Sequence, residues 1–379
     1  MSDRLPGTLQ SVPAFLRFFA AALPTFKPLG GFNICHNLYM DLKKLSIFLK
    51  ENKIPAFRLK QVRDAVYKNF AVSWEEIPVL PAALRERLRH GIHINSLETL
   101  ETRISKKKDA VKFCFALKDG LKIESVLLKL LSEKWSLCIS TQVGCPVRCP
   151  FCATGKKGLK RNLSPDEITD QYLTAANYLK KLGEQKIGSV IFMGMGEPFL
   201  NYDSVAEAVR TIADPDLIGL GQRHISVSTS GHVPGIRRFA KDFPQCNLAI
   251  SLHAAEEPLR TDLVPLNRTY PLSQLAKALK DYIFSTKRRV FVEYVLMEGI
   301  NNSRTQVARL NAWLRTVAAP KYFVVNIIPY NRTGGPYRAP TRERIKLFAG
   351  LLEAAGIEVT IRKSMGEDIS GACGQLAGK

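Results

Sequence analysis

Cys145-Pro-Val-Arg-Cys149-Pro-Phe-Cys152 sets three thiols within eight residues. The C-x3-C-x2-C spacing is that of metal ligands on one loop, too tight for bridges to distant elements. A structural zinc site closes on four protein ligands. A four-iron cluster held by three cysteines keeps one iron open. An open iron can chelate the amino and carboxylate groups of S-adenosylmethionine and pass an electron to its sulfonium, chemistry that a protein borrows from a cofactor. The alternative is a zinc knuckle that takes its fourth ligand from a distant part of the chain.

Around this loop the hydrophobic pattern sets the architecture. Leu137-Cys138-Ile139 reads as a short apolar strand feeding the cysteines. Downstream, Ser164 as N-cap, Pro165 in the first turn and Glu167 three residues after the serine open a helix. Strands are expected over 189–193, 224–228, 248–252, 290–296, 323–328 and 358–361, most of them separated by helical stretches. Repeated strand–helix units argue for a parallel α/β sheet or barrel, and six units for a partial (β/α)6 barrel. The run from Ser189 to Pro198 ends in Met-Gly-Met-Gly-Glu-Pro. Glycines at the C-terminal end of a strand let a ligand approach the backbone, where barrels place their sites.

Upstream, 110–131 alternates apolar and polar residues about Asp119-Gly120, the pattern of a β-hairpin with a tight turn. From Met40 to about Leu88 the period is helical, with Arg58, Lys60, Arg63 and Lys68 among the apolar positions. This basic helical module either binds RNA or packs on the main domain. The expected division is an unassigned extension over 1–39, a helical accessory domain over 40–105, a β-hairpin extension over 106–135, the barrel over 136–362 and a C-terminal loop over 363–379.

The 379 residues carry 55 Lys and Arg against 34 Asp and Glu, a net charge of +21. Such a balance points to a polyanionic partner, nucleic acid first, with a solvated basic surface as the bland alternative. The eight cysteines do not form a disulfide framework, which places the chain in a reducing, cytoplasmic compartment. No run of 18 uncharged apolar residues is present, so no membrane span is expected. The stretch 12–23 looks superficially like a signal peptide, but Arg17 interrupts it.

From about Ile54 onward the chain resembles the RlmN/Cfr family of radical S-adenosylmethionine adenine methyltransferases. The likeness rests on SLCISTQVGC (136–145), CPFCATG (149–155), MGMGEP (193–198), SVSTSGHVP (226–234), AISLHA (249–254), NIIPYN (326–331) and ACGQLAG (372–378). It implies that Cys145, Cys149 and Cys152 hold one 4Fe–4S cluster. It further implies that Gly196, Glu197, Ser228, Ser251, Leu252, His253 and Asn331 bind S-adenosylmethionine, with Glu197 receiving the amino group. On the residues alone, His253 reads as an ordinary strand-end histidine and Cys138 as a buried strand cysteine.

The resemblance also implies a relay that consumes two S-adenosylmethionines per turnover. Cys373 is methylated as a thiolate nucleophile. Its S-methyl carbon, after loss of a hydrogen, adds to the adenine. Glu124 acts as proton acceptor, and Cys138 releases the product and leaves a Cys138–Cys373 disulfide. The implied partners are 23S rRNA, tRNA, and an electron donor such as flavodoxin or ferredoxin. Pro198 after Glu197 and the 228–231 and 251–254 runs resemble the members that methylate C2. The stretches 153–163 and 168–171 and the Glu124–Cys138 spacing resemble those that methylate C8. Lys156, Lys157, Lys160 and Arg161 crowd the cysteine loop and suit either phosphate contacts or a solvated approach. Cys35, Cys114 and Cys246 read as packing residues. Two other classes stay open: a non-catalytic RNA-binding protein with a structural metal, and a radical enzyme acting on a small molecule.

Overall fold

The computed structural model describes residues 42–378 except Gln185; the expected extension over 1–39, with Cys35, lies outside the described residues. Helices α1 (Leu42–Glu51), α2 (Phe57–Arg63) and α3 (Ala82–Arg89) come first. They bury Leu45, Leu49, Val62, Leu84 and Leu88 at helical spacing and leave Lys60, Lys68, Arg87 and Arg89 exposed. Strand β1 (Glu98–Ile104), β2 (Ala110–Ala116) and β3 (Lys122–Lys129) then form an antiparallel meander, the last two being the expected hairpin. Strand β1, exposed at every position, is absent from the sequence reading. Its Glu-Thr-Leu-Glu-Thr-Arg-Ile run lacks a buried face because it is the charged edge of the sheet.

Strand β4 (Trp135–Cys138) turns the sheet from antiparallel to parallel, pairing β3 one way and β7 (Ile187–Phe192) the other. Between these two lie β5 (Gln142–Gly144), α4 (Ala153–Lys157), β6 (Leu159–Asn162) and α5 (Pro165–Lys181). Strands β5 and β6 pair as a separate ribbon that brackets the cysteine loop. The start of α5 is the expected capping box: the Glu167 backbone N–H donates to Ser164 Oγ at 3.2 Å, and the Ser164 N–H donates to the Glu167 carboxylate at 2.9 Å. Helix α5 also receives the N-terminal helical segment. Asn177 Nδ2 donates to the Phe70 carbonyl (2.8 Å), and the Ser96 N–H donates to Asp170 (2.6 Å). The helical module therefore packs on the main body, and Lys68 Nζ adds a donation to the Pro215 carbonyl.

The remaining units alternate: α6 (Tyr202–Ala213), β8 (Ile225–Thr229), α7 (Val233–Asp242), β9 (Asn247–Ser251), α8 (Glu257–Leu263), α9 (Leu272–Thr286), β10 (Val290–Leu296), α10 (Arg304–Val317), β11 (Phe323–Pro329), α11 (Arg342–Ala354) and β12 (Glu358–Ile361). The sheet order is β1-β2-β3-β4-β7-β8-β9-β10-β11-β12. The partial barrel is present, and its parallel array has seven strands because β4 joins the six expected ones. Val190, Val227, Leu248, Ile250, Val292, Val325 and Ile327 are fully buried, as befits parallel strands covered on both faces.

Register brings polar residues together in this apolar array. Glu293 of β10 stands opposite Ser251 of β9 and Asn326 of β11. All three belong to strands whose C-terminal ends open on one cavity.

Candidate active site

The cysteine loop is held by backbone contacts that only glycine allows. Gly144 has φ +80°, and a Cβ there would meet the Gly158 carbonyl oxygen at 1.8 Å. A Cβ on Gly155 would stand 2.8 Å from the backbone of Cys149. The loop is therefore folded tightly on itself, and Cys145, Cys149 and Cys152 all line one cavity with Glu197, Ser230 and His253. Burial pushes the Cys145 thiol up to about 12 and Cys149 well up too. Binding a metal here must displace protons, and the metal's charge offsets the cost of the buried thiolates.

The other cavity donors are already committed. His253 sits in the left-handed region at φ +59°, and its Nδ1 accepts the Val295 N–H at 3.1 Å. Burial and then the charge of Arg260 lower its pKa to about 3, so the ring is neutral with its proton on Nε2. Glu197 accepts the Ser230 N–H (2.7 Å) and hydroxyl and the Phe199 N–H (3.1 Å). The Thr229 hydroxyl is a fourth donor to it, so the carboxylate's roughly four lone-pair directions are all met by the protein in this state. The three thiols are the remaining soft donors. Among the described residues no group of three Cys, His, Asp or Glu side chains is gathered for a single metal ion. A four-iron cluster is a larger body with one iron per thiolate, and this donor set fits it.

Behind Glu197 stands a residue the sequence reading missed. Arg260 is fully buried and donates to the Ser230 carbonyl at 2.7 Å and to Asn267 Oδ1 at 2.6 Å. It thus steadies the serine that grips Glu197 and sets a fixed positive charge beside Cys149. Gly196, at φ +106°, has Gln142 so close that a Cβ would meet its side chain at 2.7 Å. The Gln142 Oε1 in turn accepts the Glu197 N–H at 2.8 Å. Across the cavity the Ser228 and Ser251 hydroxyls lie 3.4 Å apart.

Cys373 closes the cavity from the C-terminal loop. It lines the cavity of the three loop cysteines and also a second cavity that holds Cys138 and Arg362. Its carbonyl accepts from Asn331 Nδ2 at 3.1 Å, and the Gly374 carbonyl accepts the Ala153 N–H at 2.8 Å. Three cysteines of one loop, a buried carboxylate and two further thiols thus meet at the C-terminal ends of the parallel strands.

Residues 139–310 match the Radical SAM superfamily. The chain is 42% identical over 347 residues to the probable dual-specificity RNA methyltransferase RlmN of Syntrophomonas wolfei, covering 89% of this chain and 96% of that one. It is 39% identical over 335 residues to the ribosomal RNA large subunit methyltransferase Cfr of Clostridium botulinum, covering 88% and 96%. The crystal structure of a radical SAM methyltransferase from Sphaerobacter thermophilus superposes with a TM-score of 0.84 at 39% identity, covering 90% of this chain and 98% of that one. The chain belongs to the RlmN/Cfr family.

Of the residues that the RlmN/Cfr likeness singles out, Cys145, Cys149, Cys152, Gly196, Glu197, Ser228, Ser251, His253, Asn331 and Cys373 line one cavity. Leu252 does not: it is fully buried in the core, and its N–H donates to the Glu293 carbonyl at 3.1 Å. Cys138 reaches the second cavity alone. The Cys138–Cys373 disulfide is not formed, both being free thiols, so that bond is no structural brace of this RlmN/Cfr fold. Glu124 is not solvent-facing, as a lone strand glutamate would be, but 3% exposed. It pairs with Lys112 Nζ at 3.2 Å and accepts the backbone N–H groups of Ala377 (2.7 Å) and Gly378 (3.2 Å). In this state it anchors the tail that follows Cys373. Glu124→Ala would strand the Lys112 ammonium in the interior, and a loss of about 3–5 kcal/mol is expected by chemical denaturation.

The basic residues beside the loop divide. Lys156 Nζ donates to the Thr333 carbonyl at 2.9 Å, Lys157 to the Ala377 carbonyl, and Arg161 pairs with Glu167 at 2.8 Å and with Asp119. Lys160 is exposed. Most of this cluster braces the loop and the tail.

Arg362 is the second residue the sequence reading missed. It hydrogen-bonds Cys373 and bears on both thiols, with Glu293 as its carboxylate neighbour. Burial pushes the Cys373 thiol up and Cys138 to about 12, and the Arg362 charge pulls both back down. Removing that charge must raise them further. Arg362→Leu is therefore expected to slow Cys373 alkylation by iodoacetamide about tenfold at pH 8, one pKa unit's worth. The rate-against-pH curve should move to higher pH.

Proposed function

We propose that this chain transfers a methyl group to C2 of an adenosine in the peptidyl-transferase centre of 23S rRNA, and to C2 of the adenosine 3′ to the tRNA anticodon. The observation that carries the transfer is Cys373 on the wall between the cavity of the three loop cysteines and the cavity of Cys138. The choice of C2 draws on Pro198 after Glu197 and on the 228–231 and 251–254 runs. When bound by Cys145, Cys149 and Cys152, a 4Fe–4S cluster supplies the electron for reductive cleavage of S-adenosylmethionine.

The chain's own residues do the rest. Glu197 receives the amino group of S-adenosylmethionine in exchange for one of its hydroxyl donors, Ser230 or Thr229, and the neutral His253 and the Ser228–Ser251 pair present hydroxyl and N–H groups to the rest of that molecule. Arg362 favours the thiolate of Cys373, which takes a methyl from one S-adenosylmethionine as the sulfonium C–S bond breaks. A second S-adenosylmethionine is used to take a hydrogen from that methyl group. The carbon radical bonds to the adenine, and the adduct gives up its ring proton and one electron, matching the electron taken in at cleavage. Cys138, as thiolate, then attacks the Cys373 sulfur so that S–S forms as S–C breaks, and the released carbon takes up a proton to become the methyl group. An external reductant restores both thiols. Glu124 is the proposed acceptor of the ring proton, a role that requires the tail over 377–378 to release its carboxylate.

The C8 alternative draws on the 153–163 and 168–171 stretches and on Cfr relatives at similar identity. Nucleoside mass spectrometry of 23S rRNA and tRNA separates the two, using cells that lack the family's own enzyme and express this chain. 2-Methyladenosine in both RNAs is expected. 8-Methyladenosine would overturn the position and keep the relay. No methyladenosine from a cluster-loaded enzyme would overturn the substrate.

A further inference from the structure

Beside the reaction cavity, and sharing Tyr330 with it, lies an open groove of about 520 Å³. That is within the roughly 300–1,000 Å³ of sites that take a small-molecule-sized unit. Arg332, Tyr337 and Arg338 line it together with residues 334–336, and no carboxylate does. Both arginines are exposed, and neither guanidinium has an ion-pair or hydrogen-bond partner among the described residues. The nearby Arg344, by contrast, is paired with Glu298. The loop is pinned to the reaction centre from two sides. Thr333 Oγ1 donates to the Phe151 carbonyl in the cysteine loop at 2.8 Å, and Gln375 Nε2, two residues past Cys373, donates to the Arg332 carbonyl at 3.1 Å.

A base that enters the cavity must leave its stack, and its neighbours along the strand stay at the mouth. Two unpaired guanidiniums suit phosphate oxygens, a tyrosine ring suits a base face, and glycines leave the backbone open to approach. We propose that this groove seats the ribonucleotide adjoining the target adenosine, its phosphates against Arg332 and Arg338 and its base against Tyr337. The proposal rests on the RNA substrate reading above, and it makes the loop over 330–338 an element that positions the strand as well as a wall.

The test uses the cluster-loaded full chain, a 23S rRNA fragment containing the target, and an anticodon stem-loop. The variants are Arg332→Gln/Arg338→Gln and Tyr337→Leu, first checked for unchanged melting temperature and iron content. RNA affinity is expected to fall about tenfold or more in each. The double arginine variant should also flatten the slope of log affinity against log salt by roughly 1.4–1.8, the loss of two phosphate contacts. Methylation of Cys373 by S-adenosylmethionine without RNA should be unchanged. Unaltered affinity and salt slope would overturn the proposal, as would a defect confined to reduction of the cluster by flavodoxin, which would make the groove the donor's. Failure of the unmodified chain to bind or methylate either RNA would instead remove the RNA reading itself.

Discussion

Cys373→Ala should abolish methyl transfer, by at least about a thousandfold, with iron content and RNA affinity intact. The magnitude is that of removing a nucleophile whose function no neighbour can assume. Cys138 is the nearest substitute, yet it lines only the second cavity and its thiol is held at about 12. The fold should survive because the Cys373 contacts that pin the loop are made by backbone: its carbonyl to Asn331, and the next carbonyl to Ala153. Mass spectrometry of the protein after incubation with S-adenosylmethionine gives an independent readout, a single added methyl on the tryptic peptide of residue 373 in the unmodified chain and none in the variant. Product formation by the variant at even a tenth of the normal rate would remove Cys373 from the pathway.

Cys138→Ala should have an equally large effect of a different kind. Methylation of Cys373 and bond formation to the adenine go forward, and release does not. The expected outcome is less than one turnover and a covalent protein–RNA species that survives denaturing electrophoresis and disappears on nuclease treatment. Cys138 is buried in β4 beside Ile191 and Met193, so the substitution removes one small group from the core, and the folded state should persist. Multiple turnover without any trapped adduct would show that another group resolves the thioether. The double variant with Cys373→Ala should trap nothing, which ties the adduct to residue 373.

Much of this was legible along the chain, and the exceptions share a cause. The strands over 290–296 and 358–361 and the capping box at Ser164 follow from local patterns that the fold then honours. The cysteine loop is legible because its three thiols fall within eight residues. Glu293 left a signal that went unread: a glutamate inside Val-Phe-Val-Glu-Tyr-Val-Leu is a carboxylate in a buried strand, which needs a partner. Asn326, standing opposite it in β11, supplies one oxygen's partner at 2.7 Å, and the other oxygen has no hydrogen-bond partner among the described residues. Arg260 and Arg362 gave no such signal, since an arginine in a helix or after a strand is ordinarily solvated. Only the closure of the barrel brings Arg362 to two thiols 235 positions apart in sequence, and only the docking of the tail turns Glu124 from a strand residue into an anchor.

Cys373 belongs to the partition between two chambers, with its backbone fastened on both sides. A side chain so placed can serve either chamber by turning about its own Cα–Cβ bond, a rotamer exchange that needs far less time than moving a loop or a domain. The sulfur is then a turnstile. On the proposed relay it faces one room to be charged and to react, and the other to be relieved. Handing the carbon on becomes a matter of one torsion, and the slow events are left to the RNA arriving and departing at the mouth.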